Sequence, residues 1–206
     1  GVIDRIAVDE EYVEQLNHIL ESTPIIATNR PVGVRNCKIH LDEGGSMDLA
    51  MDYLFSLGHE KIATIGGRKD AKSTLEMRYR TMLRQRGIVY REDYVFDSID
   101  YSNDSGYNCT KKLLKNPDRP TAIVAINDFT AAGVLRAIHD EGLRVPQDIS
   151  VVAFDNTYLS GALTPALTSV GANYTEFAKH LVELAALLGR DMHLYFGIAV
   201  CVVLED

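Results

Sequence analysis

Short apolar runs alternate with amphipathic stretches along the chain, and this alternation predicts strands and helices in turn. The clearest example begins with the β-branched apolar run Thr121–Ile126, which predicts a strand. A helical period follows, with one apolar face made by Ala131, Val134, Leu135 and Ile138. Gly142 is a typical helix stop, and a second apolar run follows it at Ile149–Phe154. A strand, a crossover helix and a strand of this kind predict a right-handed parallel unit.

The same alternation continues on both sides of this unit. It predicts further strands at Val2–Val8, Pro24–Thr28, Lys38–Leu41, Lys61–Ile65, Tyr94–Ser98, Leu167–Gly171 and Ile198–Leu204. It predicts helices from Asp9 onward and at Glu43–Leu57, Ser73–Arg86, Asp104–Asn116 and Thr175–Leu188. The fold class is therefore α/β with a mostly parallel sheet. About nine strands exceed what one small sheet commonly holds, so we expect two lobes.

Polar pairs end the two strands of the clearest unit. Asn127-Asp128 follows the first strand, and Asp155-Asn156 follows the second. Open parallel sheets bind ligands at the carboxyl ends of their strands, which makes these side chains candidate ligand contacts. Each pair has a plainer interpretation, because Asn and Asp also cap helices. Of the first pair, we expect Asp128 to cap its helix and Asn127 to contact a ligand.

Composition excludes several classes of protein. The chain has 21 basic and 29 acidic residues, and its net charge of −8 argues against a nucleic-acid-binding surface. The widely spaced Cys37, Cys109 and Cys201 are typical of reduced, buried cysteines in a cytoplasmic protein. The histidines lack metal-ligand spacing, and no serine lies in a nucleophile-elbow motif. We therefore expect no enzyme activity, no metal and no cofactor. No apolar run is long enough to predict a membrane span.

Three motifs resemble those of one family of regulators. They are the segment Leu57–Ala63 followed by Ile65-Gly66-Gly67, the Asn127-Asp128 pair with Ala132-Gly133, and the long segment Gly142–Asn156. Together they resemble the effector-binding core of the LacI/GalR family of bacterial transcription repressors. The resemblance weakens after Leu188. It implies a two-lobed periplasmic-binding-protein-like (type I) fold with lobes at 1–58 and 59–156, and with 157–206 returning to the first lobe.

The resemblance also implies that part of the family's pattern is missing. A helix-turn-helix headpiece and the first strands of the core have no counterpart in the sequence, so we expect an N-terminally truncated chain with an incomplete first lobe. Because the chain opens on Gly1-Val2-Ile3, an apolar segment typical of a strand interior, this expectation agrees with the residues themselves.

The family's effector contacts map onto seven positions of this chain. The resemblance implies contacts from Asn29, Arg30, Asp42, Arg78, Tyr101, Asn127 and Asp155. One of them departs from the family pattern, which places an arginine four residues before an aromatic. With Tyr79 as the aromatic, that position holds Leu75, and Arg78 lies close enough along a helix to reach the same space.

These inferences together predict the sensory part of a cytoplasmic repressor. It would bind a small hydroxyl-rich effector, a carbohydrate, between two lobes, form a homodimer, and contact DNA only through the missing headpiece. A periplasmic sugar-binding protein of a transporter is the first alternative. The second is a P-loop nucleotide-binding protein, because Gly66–Ser73 nearly matches the phosphate-binding motif, with Ala71 in place of its second glycine.

Overall fold

The chain divides into two compact units. A computed structural model describes residues 2–3, 14, 18, 26–27, 37–38, 43–66, 73–98, 100–188 and 202–204. The smaller unit contains residues 1–42 and 172–201, and the larger contains residues 43–171 and 202–206. Each unit has its own sheet, and the larger one holds most of the described side chains.

Strands and helices alternate as the hydrophobic pattern predicts. The strands are β1 Val2–Ile3, β2 Ile26–Ala27, β3 Cys37–Lys38, β4 Ile62–Ile65, β5 Val95–Phe96, β6 Ala122–Ala125, β7 Ser150–Asp155, β8 Thr168–Ala172 and β9 Val202–Leu204. The helices are α1 Glu43–Ser56, α2 Thr74–Gln85, α3 Asn103–Leu113, α4 Asp128–Asp140, α5 Tyr158–Ala162 and α6 Tyr174–Leu188. The sequence analysis did not predict α5 or the 3₁₀ turn at Glu92–Tyr94. Both are too short to produce a hydrophobic period.

Both sheets are built from parallel neighbours. In the smaller unit, β1 pairs with β2 and β2 with β3, both in parallel. The larger unit has the strand order β5-β4-β6-β7-β8-β9, and the pairs from β5 to β8 are parallel. The predicted α/β fold with a parallel sheet is therefore confirmed, and the carboxyl ends of β4 to β8 lie along one edge.

Helices cover the larger sheet on both faces. Successive strand residues point to opposite faces, so each strand supplies apolar side chains to two cores. One core contains Ile62, Val124 and Val152 with residues of α1 and α2, namely Met47, Met51, Leu54, Leu75 and Tyr79. The other contains Ile65, Ile123 and Val151 with residues of α3 and α4, namely Cys109, Leu113, Val134 and Ile138.

Helix α1 packs within the larger unit. Its side chains Ala50, Met51 and Leu54 are fully buried in the core that also holds α2 and the sheet. The predicted first lobe extends to residue 58 and includes this helix. An amphipathic helix shows that one face is buried but not which sheet buries it. The predicted lobe boundaries at 58 and 156 stay predictions for the whole protein.

Helices α3 and α4 approach each other closely because each has a glycine at the crossing. A β-carbon on Gly133 would lie 1.9 Å from the carbonyl oxygen of Asn103, and one on Gly106 would lie 2.2 Å from that of Thr130. No side chain fits at either position. The crossing brings the first turn of α4 against the first turn of α3, and this contact positions the site described below.

Candidate functional site

Two predicted site residues lie at the same level of the sheet edge. The register pairs Ala125, the last residue of β6, with Ala153 of β7. Asp155 ends β7 two residues later, and Asn127 lies two residues beyond the end of β6. Because the two strands are parallel neighbours, both polar residues lie together at the carboxyl-end edge. The structure thus brings together the two residues that the sequence placed at strand ends.

Tyr101 joins this edge through the first turn of α4. The Oγ1 atom of Thr130 donates a hydrogen bond to the Tyr101 carbonyl at 3.0 Å. The Thr130 amide donates to Asn127 Oδ1 at 2.7 Å, so one buried threonine contacts both residues. Tyr101, Asn127 and Asp155 therefore form one edge of the larger unit, which we call the effector edge.

Asn127 rather than Asp128 caps helix α4. The Asn127 side chain accepts the hydrogen bond from the Thr130 amide that satisfies the exposed first turn of the helix. The expectation that Asp128 is the cap and Asn127 the ligand contact is therefore wrong about the cap. Asn127 Oδ1 serves the helix, and within the described part of the chain its Nδ2 makes no hydrogen bond.

The buried carboxylate of Asp128 instead ties three segments together. Its Oδ2 accepts from the Thr157 amide at 2.6 Å and from Thr157 Oγ1 at 2.8 Å. Its Oδ1 accepts from Ser169 Oγ at 2.6 Å. The sequence carries no local signal of this role, because Thr157 and Ser169 lie 29 and 41 residues away along the chain.

Three non-glycine residues at the effector edge have a positive φ angle. They are Tyr101 with φ 54°, Asp155 with φ 93° and Asn156 with φ 46°. L-residues rarely adopt such a backbone, and each instance costs on the order of 1–3 kcal/mol unless its surroundings hold it. Non-glycine residues of this kind cluster at ligand sites, which supports the interpretation of this edge as functional.

Arg78 of α2 forms an ion pair with Asp48 of α1. Its Nε donates to Asp48 Oδ1 at 2.9 Å, and its NH2 donates to Asp48 Oδ2. The Asp48 side chain is only 25% exposed, so the pair is partly shielded from solvent. Leu75, at the position where the family has its arginine, is buried against the sheet. A role for Arg78 in effector contact stays a prediction.

The remaining predicted contacts lie outside the described residues. These are Asn29, Arg30 and Asp42, together with the part of the P-loop-like motif from Gly67 to Lys72. Their predicted roles stay predictions. Neither the family's first-lobe contacts nor the nucleotide-binding alternative is tested by the larger unit.

A small cavity lies beneath α2, next to the sheet. It has a volume of about 10 Å³ and is lined by Thr64, Glu76, Tyr79 and apolar side chains of α1, α2 and the sheet. Such a volume holds about one water molecule, so it cannot hold a sugar. The buried Glu76 carboxylate accepts from Arg80 Nε and Tyr90 Oη, both at 2.8 Å. Desolvation and this carboxylate raise the pKa of Tyr90 to about 12.

A further candidate reactive group, the thiol of Cys109, is buried in the core of the larger unit. Cys109 is a buried free thiol whose Sγ lies 3.6 Å from the Asp97 carbonyl oxygen, and burial raises its pKa. Among the described residues, no group of three or more His, Cys, Asp or Glu side chains is arranged to hold a metal ion. Within the same residues, no helix combines the length and apolarity of a membrane span.

Comparison with known proteins identifies the family. Residues 51–193 match the family described as periplasmic binding protein-like domain. The probable HTH-type transcriptional repressor ExuR of Bacillus subtilis (strain 168) is 35% identical over 179 residues, which are 84% of this chain and 51% of that protein. The chain spans about half the length of the curated relatives it matches.

Solved structures share the fold over nearly the whole chain. A LacI family transcriptional regulator from Mycobacterium smegmatis has a TM-score of 0.79 and 26% identity, covering 98% of this chain and 76% of that one. The transcriptional regulator CelR in complex with cellobiose has a TM-score of 0.83 and 25% identity, covering 98% of this chain and 64% of that one. The chain therefore belongs to the periplasmic binding protein-like domain family, and its relatives in sequence and structure are LacI-family regulators.

Proposed function

We propose that this chain is the effector-binding domain of a LacI-family transcription repressor and that its effector is a small, uncharged, hydroxyl-rich molecule, most simply a sugar. The observation that carries the proposal is that Asn127 and Asp155 lie at the same height of the sheet, at the carboxyl ends of adjacent parallel strands. Ligands of open parallel sheets bind outside these strand ends.

The chemistry of the effector edge suits hydroxyl groups. A carboxylate such as Asp155 accepts charge-assisted hydrogen bonds, and its two oxygens match a pair of neighbouring hydroxyls. The Asn127 amide adds a donor, and the ring of Tyr101 offers a flat apolar face for the ring of a sugar. Of the predicted contacts, Arg78 is a cation that pairs with Asp48, which disfavours an anionic effector. CelR, a structural relative, was solved with cellobiose, which agrees with this proposal.

The rest of the regulator is proposed from its relatives. ExuR is described as an HTH-type repressor, and its length is about twice the part that this chain matches. We propose that DNA binding belongs to a headpiece outside this sequence, because the chain itself has a net charge of −8. A cytoplasmic homodimer without enzyme activity, and effector contacts from Asn29, Arg30, Asp42 and Arg78, complete the proposal.

Calorimetry with a compound panel tests the proposed effector class. The panel contains monosaccharides, cellobiose, purine bases and nucleosides, amino acids, and ATP with Mg²⁺. We expect saturable binding of a neutral sugar and at least about a tenfold loss of affinity in Asp155→Ala, since that change removes charge-assisted hydrogen bonds.

Asp104→Ala is the matched control, because Asp104 is an exposed carboxylate in the first turn of α3. This variant should bind the sugar as the unmodified chain does. Binding of purines or ATP alone, or full affinity in Asp155→Ala, would contradict the proposed effector class or site.

A further inference from the structure

The Asp128 carboxylate accepts three hydrogen bonds, one from a backbone amide and two from hydroxyl groups. Its residue is 2% exposed, and its partners are the Thr157 amide, the Thr157 hydroxyl and the Ser169 hydroxyl. An ionised carboxylate has acceptors on both oxygens, whereas an amide side chain would turn an NH₂ group toward one of these donors. An asparagine could therefore accept on one side only, and its contact on the other side would have to reverse direction or be lost.

Ser169 extends these contacts to the backbone next to Asp155. Its hydroxyl donates to Asp128 and accepts from the Asn156 amide at 3.0 Å. The Asn156 side chain is held as well, since Ser160 Oγ lies 3.1 Å from Asn156 Oδ1 and 2.8 Å from the Thr157 carbonyl oxygen. A continuous set of hydrogen bonds thus runs from Asp128 to both sides of the Asn156 peptide.

This network surrounds the most strained backbone of the effector edge. Asp155 and Asn156 both have positive φ, and such conformations persist only where neighbouring contacts determine them. Burying a carboxylate without a cation is also costly unless its hydrogen bonds are satisfied. The strained backbone and the buried carboxylate are joined by the same hydrogen bonds. These bonds therefore offset both the cost of the strain and the cost of burying the charge.

We propose that Asp128 is a positioning residue for the effector site. It holds the 155–157 turn through Thr157 and Ser169, and this turn fixes the direction in which Asp155 leaves the sheet. Asp128 itself lies behind the edge and does not contact the effector. The inference rests on the proposed function in so far as Asp155 binds the effector.

Amide hydrogen exchange in the full 206-residue chain tests the positioning role without any ligand. In Asp128→Asn we expect the protection of the Asn156 and Thr157 amides to fall at least about tenfold, because the charge is lost on both paths and the amide group can accept on only one of them. The Ile126 amide, which donates to the Ile65 carbonyl at 2.9 Å in the neighbouring strand, should keep its protection.

A second variant separates the two paths. Ser169→Ala removes the relay to Asn156 and leaves both Thr157 contacts to Asp128, so protection should fall at Asn156 alone. Asp104→Asn is the matched control for the carboxylate-to-amide change, and it should leave all three amides within about twofold of the unmodified chain.

Two results would overturn the inference. One is protection at Asn156 and Thr157 that survives both Asp128→Asn and Ser169→Ala. The other is a uniform fall that includes Ile126, which would assign Asp128 to global stability only. Because exchange is measured without effector, either result leaves the calorimetric test of the proposed function standing. Failure of the compound panel likewise leaves the exchange result interpretable.

Discussion

Arg78 and Asp48 form a bidentate ion pair that links helix α2 to helix α1. The guanidinium Nε lies 2.9 Å from Asp48 Oδ1, and the side chains are 40% and 25% exposed. Bidentate arginine–carboxylate pairs are among the stronger ion pairs of protein surfaces. The pair joins two helices that cover the same face of the larger sheet.

Removing this ion pair should destabilise the domain. We expect Arg78→Ala to lower the free energy of unfolding by about 1 kcal/mol, with a smaller loss at high salt because ions screen the pair. Urea unfolding at two salt concentrations measures both effects. Arg84→Ala is the control, since Arg84 is exposed on the same helix and forms no ion pair with the described residues. A variant that kept its stability and lost effector affinity would instead assign Arg78 to effector contact.

Gly171 should not tolerate a side chain. A β-carbon at this position would lie 2.2 Å from the β-carbon of Asn156, and Asp155 pairs with Gly171 in the sheet register. Gly171→Ala should therefore cost about 1–3 kcal/mol of stability through overpacking and weaken effector binding as well. Gly161→Ala provides the control, because Gly161 lies in α5 with no atom within 4 Å of the added carbon. Thermal unfolding of both variants would contradict this expectation if their midpoints were equal.

Asn127 should have two separable roles. As the cap of α4, its replacement by alanine should cost roughly 0.5–2 kcal/mol, whereas Asn127→Ser keeps an oxygen for the Thr130 amide and should keep most of the stability. Serine has no amide group, so this variant removes the donor that Asn127 offers to a ligand. We therefore expect Asn127→Ser to lose effector affinity at near-normal stability, as measured by calorimetry and urea unfolding. Full affinity in this variant would exclude Asn127 as an effector contact.

The stability of the larger unit should fall on mild acidification through His59. Its Nδ1 lies 2.9 Å from Thr121 Oγ1 and its Nε2 lies 3.0 Å from Ser150 Oγ, just before β6 and at the start of β7. Burial lowers its pKa below the ordinary histidine value of 6.5, so the unfolded chain takes up the proton first. The stabilising contribution is therefore complete above the unfolded pKa of 6.5 and decreases as the pH falls through that value toward the lower folded pKa.

Urea unfolding between pH 7.5 and pH 5.5 checks this dependence, an interval of about one pH unit on either side of the unfolded histidine pKa. His59→Gln, which cannot take up a proton in this range, should show a shallower pH dependence than the unmodified chain. The same slope in both proteins would assign the acid sensitivity to other groups. Exposed His139 is a suitable control position for the same replacement.

The alternation of the sequence determined the α/β class and the positions of the strand ends. Periods of two and of 3.6 residues are local properties, so Thr121–Ile126 and Ile149–Phe154 predicted β6 and β7 closely. Once the strands are parallel, the carboxyl-end placement of Asn127 and Asp155 follows without further information. The family motifs around the same residues could be recognised because they too are runs of neighbouring residues.

Contacts between distant segments were decided only by the tertiary structure. From the sequence, Asp128 was expected to cap a helix and nothing indicated a partner for Asp48. Their partners Thr157, Ser169 and Arg78 are far from them along the chain. Hydrogen-bond partners depend on the packing of elements, and the same Asp suits a cap, an ion pair or a buried acceptor equally well. The sequence by itself therefore determined where polar groups meet the sheet edge, and the folded chain decided which of them hold that edge in place.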